Sequence, residues 1–178
     1  GRDSWALAAS NGFSQTYGRS RSSVMVAVLA GEGTAMERDY DYATAVHSAD
    51  LRDPGEIGHA AGERCVSRLN ARKATSAQVP VVYDPRVAGS LLGHLAGAIG
   101  GTAVARGTTF LKDKLGERLF PESVTIVDDP RRRRGLRSRP FDGEGIGTRP
   151  IDIVKDGVLS TWILDLRSAR QLGLASTG

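Results

Sequence analysis

The sequence predicts an α+β fold whose mostly antiparallel sheet is built from hairpins packed with two main helices. Three observations carry that class. Asn11-Gly12 and Asp156-Gly157 each lie between strand-like runs, where both residue types tolerate the backbone of a tight hairpin turn. Residues 24–30 form an apolar, β-prone run. Two Asp-Pro pairs, Asp53-Pro54 and Asp84-Pro85, open stretches whose apolar residues recur at helical spacing.

In order, residues 5–9 and 13–17 read as strands around Ser10-Asn11-Gly12, with a type I′ turn expected there. Residues 24–30 read as a buried strand, Gly31-Glu32-Gly33 as a turn, and residues 36–47 as the returning strand with Tyr40, Tyr42 and Thr44 on one face. Asp53 caps a first helix ending near Arg72, whose apolar stripe holds Ile57, Ala60, Ala61, Cys65, Val66 and Leu69. A short strand is expected over 79–83. A second helix runs from about 86 to 99, apolar enough to predict burial on most sides, and Gly100-Gly101 stops it. Residues 110–116 read as a short helix, 124–127 as a strand, and 128–147 as a long loop rich in Gly and Arg. Residues 151–154 and 158–164 form a second hairpin, and Ser168 caps a terminal helical turn.

The 178 residues fit one domain, with a β-rich part over 1–50, two helices around a short strand over 51–102, and a mixed part over 103–178. The chain opens at Gly1-Arg2-Asp3-Ser4 without a methionine and stops just after an amphipathic segment, so it reads as the central piece of a longer protein. No apolar run approaches the ~20 residues of a membrane helix, so no membrane partner is expected. The single cysteine excludes an intrachain disulfide and suits a reducing, cytoplasmic setting.

The net charge of +4 comes mainly from Arg131, Arg132, Arg133 and Arg134, followed by Arg137 and Arg139. Such a run can neutralise phosphates. No aromatic residue interleaves it to stack on bases, so it reads more naturally as a solvated loop than as a nucleic-acid footprint.

Sites of chemistry are sparse. His47, His59 and His94 are too far apart to make a local ligand pair, and no Cys-x-x-Cys or His-x-x-x-His occurs. Glu56, His59 and Glu63 share one helix face, which is the wet side of an amphipathic helix more readily than a metal site. Cys65 sits on the apolar stripe and reads as a small buried hydrophobe. Gly97, Gly100 and Gly101 follow a helix rather than precede one, so an anion there would meet carbonyls where it needs N–H groups. Asp142 and Glu144 offer two carboxylates in a turn, usable for a cation or for acid–base work, though nothing local fixes their geometry.

Several segments, in order, resemble the TldD/PmbA family, once called modulators of DNA gyrase: Ser10-Asn11-Gly12, Gly93-His94-Leu95-Ala96-Gly97-Ala98-Ile99, Thr109-Phe110-Leu111-Lys112-Asp113-Lys114-Leu115-Gly116, Pro140-Phe141-Asp142-Gly143-Glu144-Gly145, and Ser168-Ala169-Arg170-Gln171-Leu172-Gly173 with Ser176-Thr177-Gly178. Catalytic members of that family carry His-Glu-x-x-x-His on the second helix, where the Glu is general base to a metal-bound water. The resemblance places the first ligand position at His94, the base position at Leu95 and the second ligand position at Ile99, so only the first keeps its residue type. His94 then reads as a structural residue on a crowded helix.

The resemblance is to the PmbA/TldE branch. It implies a non-catalytic subunit with no catalytic, cofactor-binding or metal residues of its own. The implied partner is a TldD-like subunit that carries zinc, in a cytosolic complex acting on peptides or unfolded proteins. A DNA- or gyrase-interacting regulator and an independent hydrolase using Asp142 and Glu144 remain the alternatives.

Overall fold

Residues 1–178 are described by a computed structural model, in which seven strands form three separate antiparallel sheets and four α-helices are interspersed among them. This is the α+β arrangement that the hairpin pattern predicts. Contacts divide the chain into two compact units, one of Gly1–Trp5 with Thr16–Val79 and one of Ala6–Gln15 with Pro80–Gly178. The hairpin of β1 (Arg2–Ala8) and β2 (Ser14–Ser20) has its base in the first and its tip in the second.

That tip differs from expectation. Ala9 donates its N–H to Phe13 O at 2.9 Å, Gly12 donates to Ala9 O at 3.1 Å, and only Gly12, at φ +89°, takes a positive φ. The connection is therefore a three-residue loop ending in a left-handed glycine rather than a two-residue type I′ turn. The Asn11 side chain is spent on the Phe13 N–H at 3.0 Å.

In the first unit, β3 (Ser22–Ala30) pairs with β4 (Glu37–Ala45) from Ser22↔Ala45 to Ala30↔Glu37. β3 is not the buried strand its apolar run suggests. Val24, Val26 and Val28 point inward, while Met25 and Leu29 are 63% and 68% exposed, because a two-stranded ribbon offers only one face to a core. That inner face is covered by α1 (Pro54–Ser67), capped at Asp53, whose side chain accepts the Glu56 N–H at 3.1 Å. Ile57, Ala61 and Cys65, spaced four apart, are all buried; sealing Ile57 alone contributes about 2–3 kcal/mol. Val66 is exposed, and the helix ends at Ser67, short of Arg72.

The inner face of β4 carries two acids, Asp39 and Asp41, each 4% exposed, with Tyr40 and Tyr42 on the outer face. Arginines repay the burial. Arg52 Nη2 reaches Asp41 at 2.7 Å, Arg64 Nη2 reaches the same carboxylate at 3.1 Å, and Arg68 Nη1 lies 3.5 Å from Asp39. Buried charges of this kind persist only when paired and hydrogen-bonded.

In the second unit, α2 (Pro85–Ala98) and the short α3 (Gly101–Ala105) precede a three-stranded sheet ordered β5 (Ile126–Asp128), β6 (Ile151–Lys155), β7 (Val158–Leu159). Its core is Ile99, Leu111, Ile153, Val154 and Leu159, flanked by Leu95, Leu119, Phe120 and Trp162. The β6–β7 turn at Asp156-Gly157 has both residues at positive φ, +49° and +80°, as a type I′ hairpin requires.

Other expectations change here. Residues 79–83 form no strand, since that apolar run finds no ladder partner and Val82 is 95% exposed. Residues 110–116 make turns rather than a helix, with Leu111 inward and Phe110 82% exposed. As expected, α2 ends before the glycine pair, at Ala98 with Ile99 as its C-cap; the extended Gly100 then serves as the N-cap of the separate helix α3. The second strand of the hairpin is only Val158–Leu159. The last helix, α4 (Leu166–Leu172), is capped by Asp165, whose carboxylate accepts the Ser168 N–H at 2.7 Å; Ser168 is the capped residue and not the cap.

Candidate functional site

Helix α2 starts with the Asp84 carboxylate accepting the Arg86 N–H at 2.8 Å and runs toward the core of its unit. Only its last turn enters. Ile99 is 1% exposed among Leu111, Ile153, Val154 and Leu159, and Leu95 and Ala98 pack against that cluster. Upstream, Val87, Leu91 and Leu92 are each about half exposed, and His94 faces solvent. The helix is thus neither crowded nor buried on most sides, because periodicity shows which face is apolar and not whether anything covers it.

His94, Leu95 and Ile99 consequently occupy three environments: water, the rim of the core and its interior. Leucine and isoleucine have no lone pair to offer, so a zinc ion that takes three or four N, S or O ligands does not fit these residues. Elsewhere no group of three or more His, Cys, Asp or Glu is arranged to hold a metal ion. His59 pairs with Glu63 at 3.1 Å on the solvent side of α1, both well exposed. Cys65, 1% exposed, lies 3.2 Å from Glu37 O and 3.5 Å from Val28 O, a buried thiol with no base beside it.

Past Ile99 the chain forms a groove. Gly101 N–H donates to Ile163 O at 2.7 Å, Ile163 N–H donates to Ile99 O at 3.0 Å, and Gly101 approaches Ser168 so closely that any Cβ would collide with that side chain. The resulting cavity of ≈ 440 Å³ is lined by Gly97, Gly100, Thr102, Arg106, Asp165 and Ser168. A neighbouring recess of ≈ 250 Å³ adds Arg167 and Gln171. The Ser168 hydroxyl and then its backbone N–H hold the Asp165 carboxyl below the usual range. Neither hollow is lined by a histidine or cysteine, and the hydroxyl–carboxylate pair they share, Ser168 with Asp165, sits at the N-cap of α4. Of these glycines only Gly101 lies against α4; a Cβ on Gly97 would meet nothing within 4 Å.

Asp142 and Glu144 have definite partners. Asp142 Oδ1 accepts the Glu144 and Ile146 N–H groups at 2.9 and 2.8 Å, while the Asp142 N–H donates to Ile146 O at 2.9 Å. Glu144 Oε2 accepts the Leu166 N–H at 2.8 Å, on the first residue of α4. Phe141 and Phe13 meet edge to face beside this turn, with centroids 5.2 Å apart. Both acids serve the backbone: one shapes its own turn and the other satisfies an open N–H of a helix.

The arginine stretch is ordered. Arg131 donates from Nε to Thr148 O and from Nη2 to Pro140 O, both at 2.9 Å, so the first arginine ties the loop to the chain that follows it.

Comparison with known proteins gives a consistent result. Residues 1–69 match the model of the PmbA/TldA metallopeptidase central domain, and residues 76–178 that of the PmbA/TldA metallopeptidase C-terminal domain. The chain is 44% identical over 169 residues to Metalloprotease PmbA of Escherichia coli O157:H7, covering 95% of this chain and 38% of that protein. It is 37% identical to the Metalloprotease PmbA homolog of Haemophilus influenzae, with the same coverage. Among solved structures, a protein of Bacteroides thetaiotaomicron described provisionally as a modulator of DNA gyrase superposes with a TM-score of 0.92 at 31% identity, over 99% of this chain and 40% of that one. TldE of Thermococcus kodakarensis superposes at 0.85 with 24% identity, again over 99% of this chain and 40% of its own, a likeness of fold. The chain spans about two fifths of the length of these relatives.

Proposed function

The chain belongs to the PmbA/TldA metallopeptidase family, in its PmbA-like branch, and from that premise we propose that it forms the central and C-terminal part of a non-catalytic, TldE-like subunit. In this reading the subunit pairs with a TldD-like partner in the cytoplasm. The partner holds zinc and activates water. This chain shapes the space that receives a peptide or unfolded segment, and the metallopeptidase activity belongs to the complex.

One observation carries the reading. At the position that the family pattern gives to the second metal ligand stands Ile99, 1% exposed and packed in the core, with Leu95 at the base position leaning on the same cluster. Side chains placed this way serve packing, and neither can bind a metal nor accept a proton. The engagement of Asp142 and Glu144 by backbone N–H groups weakens the alternative of a carboxylate-dependent hydrolase, because both acids already have fixed work.

The test is metal content and peptidase activity of the whole protein, alone and mixed with a TldD-like protein of the same organism. The expected result is no stoichiometric zinc and no cleavage alone, with co-purification and cleavage once a zinc-containing partner is added. Tight stoichiometric zinc and cleavage by this protein alone would overturn the proposal.

A further inference from the structure

The loop over residues 128–140 concentrates the charge of the chain. It holds six arginines and no lysine against Asp128 and Asp129, a surplus of four that matches the formal net charge of the whole chain. The loop is built rather than slack. Arg132 N–H donates to Asp129 O, Gly135 N–H to Arg132 O and Ser138 N–H to Gly135 O, so three turns follow one another, and Arg139 N–H closes the loop on Pro130 O at 2.9 Å. The Ser138 hydroxyl donates to Arg132 O at 2.7 Å, and Arg131 is fixed to Thr148 O and Pro140 O.

On this frame Arg132, Arg133, Arg137 and Arg139 are exposed, and their side chains make no hydrogen bond or ion pair within the chain. Leu136, 48% exposed, lies among them in sequence. We propose that this loop is a docking surface for an acidic polypeptide segment, one with Asp or Glu side chains around an apolar residue.

Guanidinium groups match carboxylates in a planar, two-point geometry, and a loop already held in shape loses little freedom when it is occupied. The same groups would match phosphates, so the other features decide. No aromatic side chain lies in the loop to stack on a base, and the chain of turns offers neither a helix nor a ribbon that would enter a groove of duplex DNA. Leu136 is an apolar contact that a polypeptide can use and a phosphate backbone cannot. The inference stands on this loop alone and does not depend on the subunit proposal.

Fluorescence anisotropy on the whole protein tests it, at low salt, with a short labelled peptide of repeating Glu-Glu-Leu, its Gln-Gln-Leu counterpart, and labelled single-stranded and duplex DNA. The acidic peptide is expected to bind best. Combined replacement of Arg132, Arg133, Arg137 and Arg139 by Gln should weaken it by about tenfold or more, the sum of several modest exposed pairs. Leu136→Ser should weaken the peptide and leave any DNA binding unchanged. Because these side chains support nothing else, the thermal melt of the variant should match the parent, which separates lost docking from lost folding. Tighter binding to either DNA, equal binding of the Gln peptide, no binding of the acidic peptide, or undiminished binding by the variant lacking those four arginines would each overturn the proposal.

Discussion

Asp41, 4% exposed, accepts a hydrogen bond from Arg52 Nη2 at 2.7 Å and lies 3.1 Å from Arg64 Nη2, so one buried carboxylate joins the segment before α1 to α1 itself. Burial pushes this carboxyl up; the bonds from Arg52, the Tyr42 N–H and Arg64 outweigh it and bring the pKa from 3.8 to about 2. A carboxyl held below its unfolded value stabilises the fold above the unfolded pKa, and that contribution disappears as pH falls from about 4 through about 2. The difference is worth about 2 kcal/mol. Urea unfolding should therefore show the parent losing roughly that amount across this window, and Asp41→Asn, already weaker at neutral pH, losing visibly less. Equal acid sensitivity in the two proteins would place the effect elsewhere.

Gly157 takes φ +80° at the β6–β7 turn, and a Cβ there would sit 2.7 Å from Pro121 O and closer still to Phe120 O. Those carbonyls cannot step aside, because the Gly157 carbonyl itself accepts the Leu119 and Phe120 N–H groups at 2.9 and 3.1 Å. Gly157→Ala combines an unfavourable φ with a backbone collision and should cost well over about 1 kcal/mol. Its neighbour Asp156, at φ +49°, should accept Asn or Gly with little change. Thermal melts of the three variants check the contrast.

What the sequence revealed was what short-range chemistry decides. Asp53-Pro54 and Asp84-Pro85 cap helices because the acid reaches N–H groups two or three residues away, and Asp156-Gly157 turns because both residues tolerate positive φ. Asn11-Gly12 carries the same signal but belongs to a longer loop, since a left-handed glycine alone also closes a hairpin. The buried Asp39 and Asp41 were illegible because Arg52, Arg64 and Arg68, which make them tolerable, lie beyond β4 and on or just after α1. Likewise, nothing near Glu144 announces that it serves the Leu166 N–H, 22 residues on. The motif positions on α2 could be aligned, but only the packing showed that Ile99 is interior while His94 is in water.

Glu144 and Asp142 give a prediction that separates structural from catalytic acids. Glu144→Ala removes the acceptor of the Leu166 N–H and should cost about 1 kcal/mol, as lost helix caps do, while Glu144→Gln keeps an oxygen there and should cost less. Asp142→Ala removes the acceptor of two N–H groups and should loosen the turn further, seen as faster amide exchange at Glu144 and Ile146. In the proposed complex with a TldD-like partner, Glu144→Gln should leave the rate of peptide cleavage within about twofold; a loss of 10²-fold or more, as expected for a general acid or base, would reassign Glu144 to chemistry.

Ile99 provides the sharpest check on the proposal that this chain holds no metal. Ile99→Ala opens a hole among Leu111, Ile153, Val154 and Leu159 and should cost about 2–5 kcal/mol. Restoring the catalytic pattern with Leu95→Glu and Ile99→His faces the same geometry. Residues five apart on a regular helix point about 140° from one another, and here one of the two positions is solvated and the other interior. The rebuilt variant should be less stable than the parent and should bind no stoichiometric zinc, measured by calorimetric titration with the metal alone. A folded variant that takes up one zinc per chain would mean that α2 can widen its turn, and that two side chains alone separate this chain from a metal-binding one.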